Sequence, residues 1–196
     1  MKSSHSIKLV SLLLVFLSQP LIAADANSNK TSQPVFPNIE LTGSDGKQHH
    51  INEYTGKGKW TTIVVWGPKC PACTEEMPSI QGLYDDKDST NINVLGLVVD
   101  FPSFSYAKLK QVQQFEEDYF ISFPNLLISS KIYYELGLGP LQGTPTIILV
   151  DPQGKVSAKQ LGGVPRNVIE KYVAEQQAKA NLLSKSVIKH NKDESL

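Results

Sequence analysis

Two cysteines, Cys70 and Cys73, are the side chains of this sequence best suited to chemistry, and Pro71 and Ala72 stand between them. Thiols at this spacing can hold a metal, carry a covalently attached haem, form a structural disulfide or exchange disulfides with another protein. Haem attachment needs a His directly after the second Cys, where this chain has Thr74. Zinc would need two further ligands, and the four His are scattered or badly placed for that role. A disulfide closing so short a loop adds little stability, so the pattern favours redox exchange.

The residues around the cysteines favour a reactive thiolate at Cys70. If Cys70 is the N-cap of a helix, Pro71 occupies the first helical position, where its missing N–H costs nothing. A Cys70 thiolate can then accept backbone N–H bonds and is stabilised by the positive end of the helix dipole. Lys69 adds a neighbouring cation, which also favours the thiolate. Cys73 lies one turn into the helix, less exposed, and is placed to resolve a mixed disulfide.

Strands and helices alternate around this motif. A β-branched run at 60–66 predicts a buried strand that ends just before the cysteines, and 71–85 has helical spacing. Turn signals predict β-hairpins before and after the central part of the chain. The other predicted elements are a hairpin in 35–54, a strand at 91–100, helices at 107–119 and 130–136, a hairpin at 146–161 and a helix at 164–183. This order predicts one α/β domain with a mixed sheet.

The ends of the chain predict targeting rather than catalysis. Residues 1–26 carry two Lys, a short apolar run and then small residues, which is typical of a secretory signal peptide. The alternative is an uncleaved signal that anchors the protein to the inner membrane. Residues 27–33 read as a flexible polar lead-in, 34–183 as the folded domain and 184–196 as a C-terminal tail. The protein is therefore expected in the periplasm or another extracytoplasmic compartment.

Charge excludes one class of partner. The 196 residues include 19 Lys and Arg and 19 Asp and Glu, so the formal net charge is zero. A protein that binds nucleic acid through phosphate contacts needs a basic surface. We therefore expect no nucleic-acid partner.

The motif also resembles that of a known family. Residues 66–78, with the sequence WGPKCPACTEEMP, are similar to the active-site segment of the thioredoxin superfamily and, more narrowly, of exported TlpA/ResA/CcmG (DsbE)-like thiol-disulfide oxidoreductases. Residues 143–146, Gly-Thr-Pro-Thr before an apolar strand, resemble the cis-proline loop of that family. The resemblance spans roughly 34–172. It implies a thioredoxin fold, with a mixed central β-sheet flanked by helices and an added N-terminal β-hairpin.

The resemblance implies specific roles for the site residues. Cys70 would attack the substrate disulfide and Cys73 would resolve the mixed disulfide, so no metal is implied and no cofactor beyond their own disulfide. Glu76 matches a family acid that moves protons for the buried thiol. Its alternative role is that of a solvated helix carboxylate.

The remaining implied roles concern contact with substrate. Pro145 would be cis and face the disulfide, which leaves the backbone of Thr144 free to pair with substrate. Pro71 and Ala72 would contact substrate as part of the motif. Trp66 would shield the site and contact substrate, with ordinary core packing as its alternative.

Two positions depart from the family pattern. Many relatives have Trp directly before the first Cys, where this chain has Lys69, and thioredoxin itself has a buried Asp where this chain has Val64. The loss of that acid argues against a plain cytosolic thioredoxin. It leaves Glu76 as the main candidate for proton transfer.

The resemblance implies that the protein reduces protein disulfides. The implied setting is cytochrome c maturation, with apocytochrome c or its handling factors as substrates. A membrane thiol-electron transporter would be the reductant. The enzyme is expected to be a monomer. The dipeptide Pro71-Ala72 lacks the His found in strongly oxidising relatives, which fits a more reducing couple. A periplasmic disulfide oxidase or isomerase is the first alternative. A copper-delivery protein is the second, although it would need a wider C-x-x-x-C and a distal His.

Overall fold

The computed structural model describes residues 36–193. The predicted signal peptide and polar lead-in lie outside the described residues. The strands are β1 (Leu41–Thr42), β2 (Gln48–His49), β3 (Trp60–Trp66), β4 (Ile92–Asp100), β5 (Ser105–Tyr106), β6 (Asn125–Leu127), β7 (Thr146–Val150) and β8 (Val156–Leu161). The α-helices are α1 (Pro71–Asp85), α2 (Lys87–Thr90), α3 (Leu109–Asp118), α4 (Ser130–Tyr133) and α5 (Arg166–Asp193). A 3-10 turn covers Ile51–Glu53, and α4 continues into a π-helical turn at Tyr134–Leu138.

The central sheet has the strand order β5-β4-β3-β7-β8, with β6 also paired to β4. Strand β3 runs parallel to β4 and antiparallel to β7, and β7 and β8 form an antiparallel hairpin. Every residue of β3 is buried. A strand that is covered on both faces has this continuous apolar sequence instead of an alternating one. The sheet is therefore mixed, and its centre is the strand that leads into the cysteines.

Helices cover one face of this sheet and shape the larger core. Met77 and Ile80 of α1, Val112 of α3 and Ile169 of α5 are all buried in a cluster that also contains Cys70 and Cys73. Alternate residues of β3 contribute to the two faces, and Val64 and Trp66 belong to this one. The helix that carries the cysteines is thus held against the sheet by its own apolar face.

The N-terminal hairpin and the α4 region cover the other face. Leu41, Ile51, Tyr133 and Leu136 are buried there with Ile63 and Val65 of β3. The predicted mixed sheet, its flanking helices and the added N-terminal hairpin are confirmed. The hairpin also reaches the sheet through its backbone, because Ser44 N donates to Asn125 O at 2.8 Å.

The last helix is longer than predicted. We expected it to end at Leu183 before a tail, but α5 begins at Arg166 and continues to Asp193. No Gly or Pro lies between 184 and 193 to end a helix, which is the physical reason for the difference. No helix within residues 36–193 is both long enough and apolar enough to cross a membrane.

Candidate active site

The two cysteines lie where β3 ends and α1 begins. Cys70 is the N-cap of α1 and Pro71 is its first residue, as the sequence predicts. The backbone N–H of Cys73 donates to Cys70 Sγ at 3.2 Å, so the helix N-terminus contacts the sulfur that we expect to react. The cysteines are joined in a disulfide, with their Cα atoms 5.2 Å apart.

The approach of the loop to β4 requires a glycine just before the cysteines. A Cβ on Gly67 would lie 2.6 Å from the carbonyl oxygen of Val99. Such a distance is far below normal van der Waals contact, so no larger side chain fits without moving a strand. Gly67 therefore lets the motif pack closely against the end of β4.

The disulfide is almost completely covered by protein. Cys73 has no exposed surface and Cys70 is only 2% exposed, whereas Pro71 and Ala72 are exposed beside them. A thiolate that attacks this disulfide must therefore reach Cys70. The geometry agrees with the predicted order in which Cys70 reacts with the partner and Cys73 resolves it, and these roles remain predictions.

The loop before β7 reaches the cysteines from a distant part of the chain. Cys70 Sγ lies 3.6 Å from the carbonyl oxygen of Thr144, and the peptide bond between Thr144 and Pro145 is cis. Pro145 is buried. The Thr144 hydroxyl is buried and has no hydrogen-bond partner. The structure thus brings Thr144 and Pro145 to the site that the resemblance assigned to them, and their contact with substrate stays a prediction.

Glu76 lies on α1, three residues beyond Cys73, and is partly buried. Its Oε1 is buried without a hydrogen-bond partner. Burial raises the pKa of Glu76, although the backbone N–H of Val164 opposes this shift by hydrogen-bonding the carboxylate. A Cβ on Gly163 would lie 2.2 Å from Glu76 Oε2, so this glycine makes room for the carboxylate. The environment differs from that of the exposed Glu75, and the role in proton transfer remains a prediction.

Trp66 is fully buried in this structure. Its side chain has no exposed surface, so a substrate could reach it only after neighbouring residues move. The indole Nε1 donates to Asn125 Oδ1 at 2.9 Å, and the ring lies 4.7 Å from that of Phe115, centroid to centroid. These contacts support the alternative role, packing in the core cluster that contains the cysteines, and contact with substrate stays a prediction.

Two residues near the site were missed by the sequence analysis. Asp100, the last residue of β4, accepts a bond from Lys69 Nζ at 2.9 Å, and this cation is the main reason that the pKa of Asp100 is lowered. A carboxylate at the end of a strand parallel to β3 could have been noticed, because the carboxyl ends of parallel strands meet at one edge. Asn125, which holds the Trp66 indole, follows Phe-Pro in an apolar stretch and offered no comparable signal.

Within residues 36–193, no group of three or more His, Cys, Asp and Glu side chains is arranged to hold an ion.

Comparison with known proteins agrees with this chemistry. The profile of the AhpC/TSA family matches residues 33–159. This chain belongs to that family. Among relatives of this AhpC/TSA protein is the thiol-disulfide oxidoreductase ResA of Geobacillus thermodenitrificans, 27% identical over 180 residues, which cover 88% of this chain and 97% of the relative.

Solved structures show the same fold. A DsbF homologue from Corynebacterium diphtheriae matches with a TM-score of 0.60 and 23% identity, over 72% of this chain and 85% of that one. The thioredoxin domain of a thiol-disulfide oxidoreductase from Bacteroides vulgatus matches with a TM-score of 0.56 and 26% identity, over 70% and 94% of the two chains. The predicted relationship to ResA-like proteins and the enzyme class are confirmed, so this member of the AhpC/TSA family is a thiol-disulfide oxidoreductase.

Proposed function

We propose that this protein is an exported reductase of protein disulfides that works through the Cys70–Cys73 couple alone. One observation carries the proposal: Cys70 Sγ lies at the N-terminus of α1, 3.2 Å from a backbone N–H, and faces the Thr144 carbonyl at 3.6 Å. The first contact stabilises a thiolate, and the second leaves a backbone acceptor beside it for an extended substrate segment.

The reaction transfers two electrons from the enzyme to its substrate. In the reduced enzyme, the Cys70 thiolate attacks one sulfur of a substrate disulfide, and the other substrate sulfur leaves as a thiolate. The Cys73 thiol loses its proton and attacks Cys70 Sγ in the mixed disulfide, which releases the second substrate thiolate. The two substrate thiolates take up one proton that left Cys73 and one from water to become a dithiol, while the enzyme becomes the disulfide described above. Glu76 is the group that we expect to accept the Cys73 proton.

The proposed setting follows the predicted export signal. A membrane thiol-electron transporter would return the enzyme to the dithiol form, and apocytochrome c or its handling factors would be the substrates, in cytochrome c maturation. We propose a periplasmic monomer, released or held at the inner membrane by its N-terminal segment. The Pro71-Ala72 dipeptide supports the reducing direction, because it supplies no cation that would stabilise the thiolate further.

Trapping the mixed disulfide tests the mechanism. Cys73→Ser should accumulate partners covalently linked to Cys70, because attack proceeds and resolution cannot. Cys70→Ser is the matched control and should trap nothing. Non-reducing electrophoresis and mass spectrometry would identify the partners. Complexes that form only with Cys70→Ser would reverse the two roles.

The redox potential tests the direction. The reduction potential of the Cys70–Cys73 couple, titrated against glutathione, should lie well below about −120 mV, a value typical of strong oxidants. A potential near that value would support an oxidase or isomerase instead. Stoichiometric copper binding that requires both cysteines would support the copper-delivery alternative.

A further inference from the structure

Lys69 and Asp100 form an ion pair next to the cysteine motif. Lys69 immediately precedes Cys70, and Asp100 ends the strand beside the one that leads to it. The atoms Lys69 Nζ and Asp100 Oδ1 are 2.9 Å apart, and the two side chains are 50% and 25% exposed. The lysine that sequence reasoning placed beside the thiolate is therefore engaged by a carboxylate.

The carboxylate is itself held in place by its own loop. Ser103 Oγ donates to the Asp100 backbone carbonyl at 3.0 Å and contacts Asp100 Oδ2 at 3.4 Å. The backbone N–H of Phe104 donates to the Asp100 carbonyl at 2.7 Å. Because the loop fixes Asp100, the flexible lysine is the member of the pair that must move to form the contact.

We propose that Asp100 is a positioning residue that sets the reactivity and redox potential of Cys70 through Lys69. By binding the ammonium, Asp100 prevents Lys69 from stabilising the Cys70 thiolate. A less stabilised thiolate makes the reduced enzyme less stable relative to the disulfide, so the couple becomes a better reductant. This inference rests on the proposed function, in which Cys70 is the reactive thiolate, and holds whichever direction the enzyme works in the cell.

Other charged groups surround the same region and enter the design of the test. They are Lys108 before α3, which also lowers the pKa of Asp100, and Lys110 and Asp118 of α3, which line the surface beside Lys69. All are unchanged in the variants below, so their fields cancel in each comparison.

Asp100→Asn releases the lysine without changing the shape of the side chain. We expect the pKa of the Cys70 thiol in the reduced enzyme to fall by about half a unit, an effect typical of a partly exposed charge. The equilibrium constant for exchange with glutathione should shift about threefold toward the dithiol. That change corresponds to about 14 mV toward a more oxidising potential, because tenfold is 29.6 mV. Thiolate absorbance, the pH dependence of alkylation and a glutathione titration measure these quantities.

Two controls separate this mechanism from a structural or general charge effect. Asp88→Asn removes the same charge from the pair of Lys59 and Asp88, which are 3.4 Å apart at the other end of β3, and should leave both quantities unchanged. Raising the salt concentration to about 1 M shortens the Debye length to about 3 Å and should shrink the effect of Asp100→Asn. A shift caused by a displaced loop would persist in salt.

The double variant decides whether Asp100 acts through Lys69. In a Lys69→Met background, Asp100→Asn should shift the thiol pKa by less than half of what it does in the wild type. Equal shifts in the two backgrounds would overturn the proposal, because Asp100 would then act on Cys70 directly. The absence of any shift on Asp100→Asn, or an equal shift on Asp88→Asn, would overturn it as well. A couple that proved to be an oxidase would contradict the proposed direction and leave this inference standing.

Discussion

At the scale of single residues, the environment of Glu76 gives it an unusual titration. Burial raises the pKa of its carboxyl above the ordinary value of 4.5, which makes the carboxylate a better proton acceptor than an exposed one. A partly buried carboxylate of this kind is suited to general acid–base catalysis. The sequence predicted the position of this acid, but its burial depends on Gly163, which is far away along the chain and against which the carboxylate packs.

We expect Glu76→Gln to change the pH dependence of exchange. The amide cannot take up the Cys73 proton, so resolution of the mixed disulfide should slow several-fold and lose the pH dependence that the Glu76 carboxyl imposes in the range above its ordinary pKa of 4.5. Stopped-flow rates across this range measure the effect. Glu75→Gln, on the exposed side of the same helix, is the control and should keep the wild-type profile. A Glu76→Gln enzyme with an unchanged profile would leave Glu76 with no role in proton transfer.

The titration of Glu76 should also appear in the pH dependence of the unfolding free energy. The pKa of Glu76 is higher in the folded protein than its ordinary value of 4.5. Its contribution to stability is therefore fully present below about pH 4.5 and is lost as the pH rises through the raised value. Glu76→Gln should remove this decline from the pH dependence of the unfolding free energy. Gly163→Ala should reproduce the kinetic effect, because its Cβ would displace the carboxylate at 2.2 Å.

At the scale of elements, β4 shows how a glycine positions a buried hydrogen bond. A Cβ on Gly96 would lie 1.7 Å from Asn125 Oδ1 and 2.9 Å from Trp66 Nε1. The bond between these two side chains therefore passes directly over the glycine. Asn125 also donates to Glu116 Oε1 at 2.9 Å. The bond between Trp66 and Asn125 therefore belongs to a hydrogen-bond network that links β3, β6 and α3.

We expect Gly96→Ala to be strongly destabilising. The new methyl group must separate Trp66 from Asn125 and leave buried polar atoms unsatisfied, which costs about 2–4 kcal/mol. Urea unfolding measures the loss. Gly82→Ala on α1 is the matched control, since its Cβ meets nothing closer than Arg166 Nη1 at 3.4 Å. That substitution should be neutral or stabilising by up to about 1 kcal/mol. Equal effects of the two substitutions would contradict this explanation.

The elements also show what the sequence could predict. The strands and helices around the cysteines were predictable, because an apolar β-branched run and a helix with an N-cap Cys and a following Pro are local patterns. The role of Trp66 was not, since it depends on Asn125, a residue 59 positions away. The partner of Lys69 likewise depends on Asp100, 31 positions away. Local sequence does not encode such contacts between distant segments.

At the scale of the whole molecule, α5 has two parts with different packing. Ile169 and Val173 are buried in the core, and Tyr172 meets Trp60 edge to face at 6.2 Å between ring centroids. Farther along the same helix, Leu182 and Leu183 are each 68% exposed. The first part of the helix therefore holds the domain together, and the later part contributes little to the core.

We expect truncation after Leu183 to leave the stability of the domain nearly unchanged. Residues 184–186 are exposed, so we expect the segment removed to contribute less than about 0.5 kcal/mol. Ile169→Ala, in the buried part of the same helix, should cost about 2–4 kcal/mol because it leaves a cavity. Thermal and urea unfolding compare the two variants. A truncation that destabilised the domain as much as Ile169→Ala would show that the end of α5 packs against the protein.

The two edges of the central sheet affect whether the protein aggregates with unfolded chains. Exposed edge strands can pair with other extended chains, and this pairing begins aggregation. At one edge, β5 and β6 both pair with β4, and the N-terminal hairpin meets β6 through a bridge between Gly43 and Leu126. Strand β8 is open, but its register with β7 shifts at Leu149 and Val150, and it carries Lys159. An irregular edge strand that carries a lysine is a poor template for strand addition. If the substrates proposed above are unfolded chains, this edge would keep them from adding to the sheet while they react with Cys70.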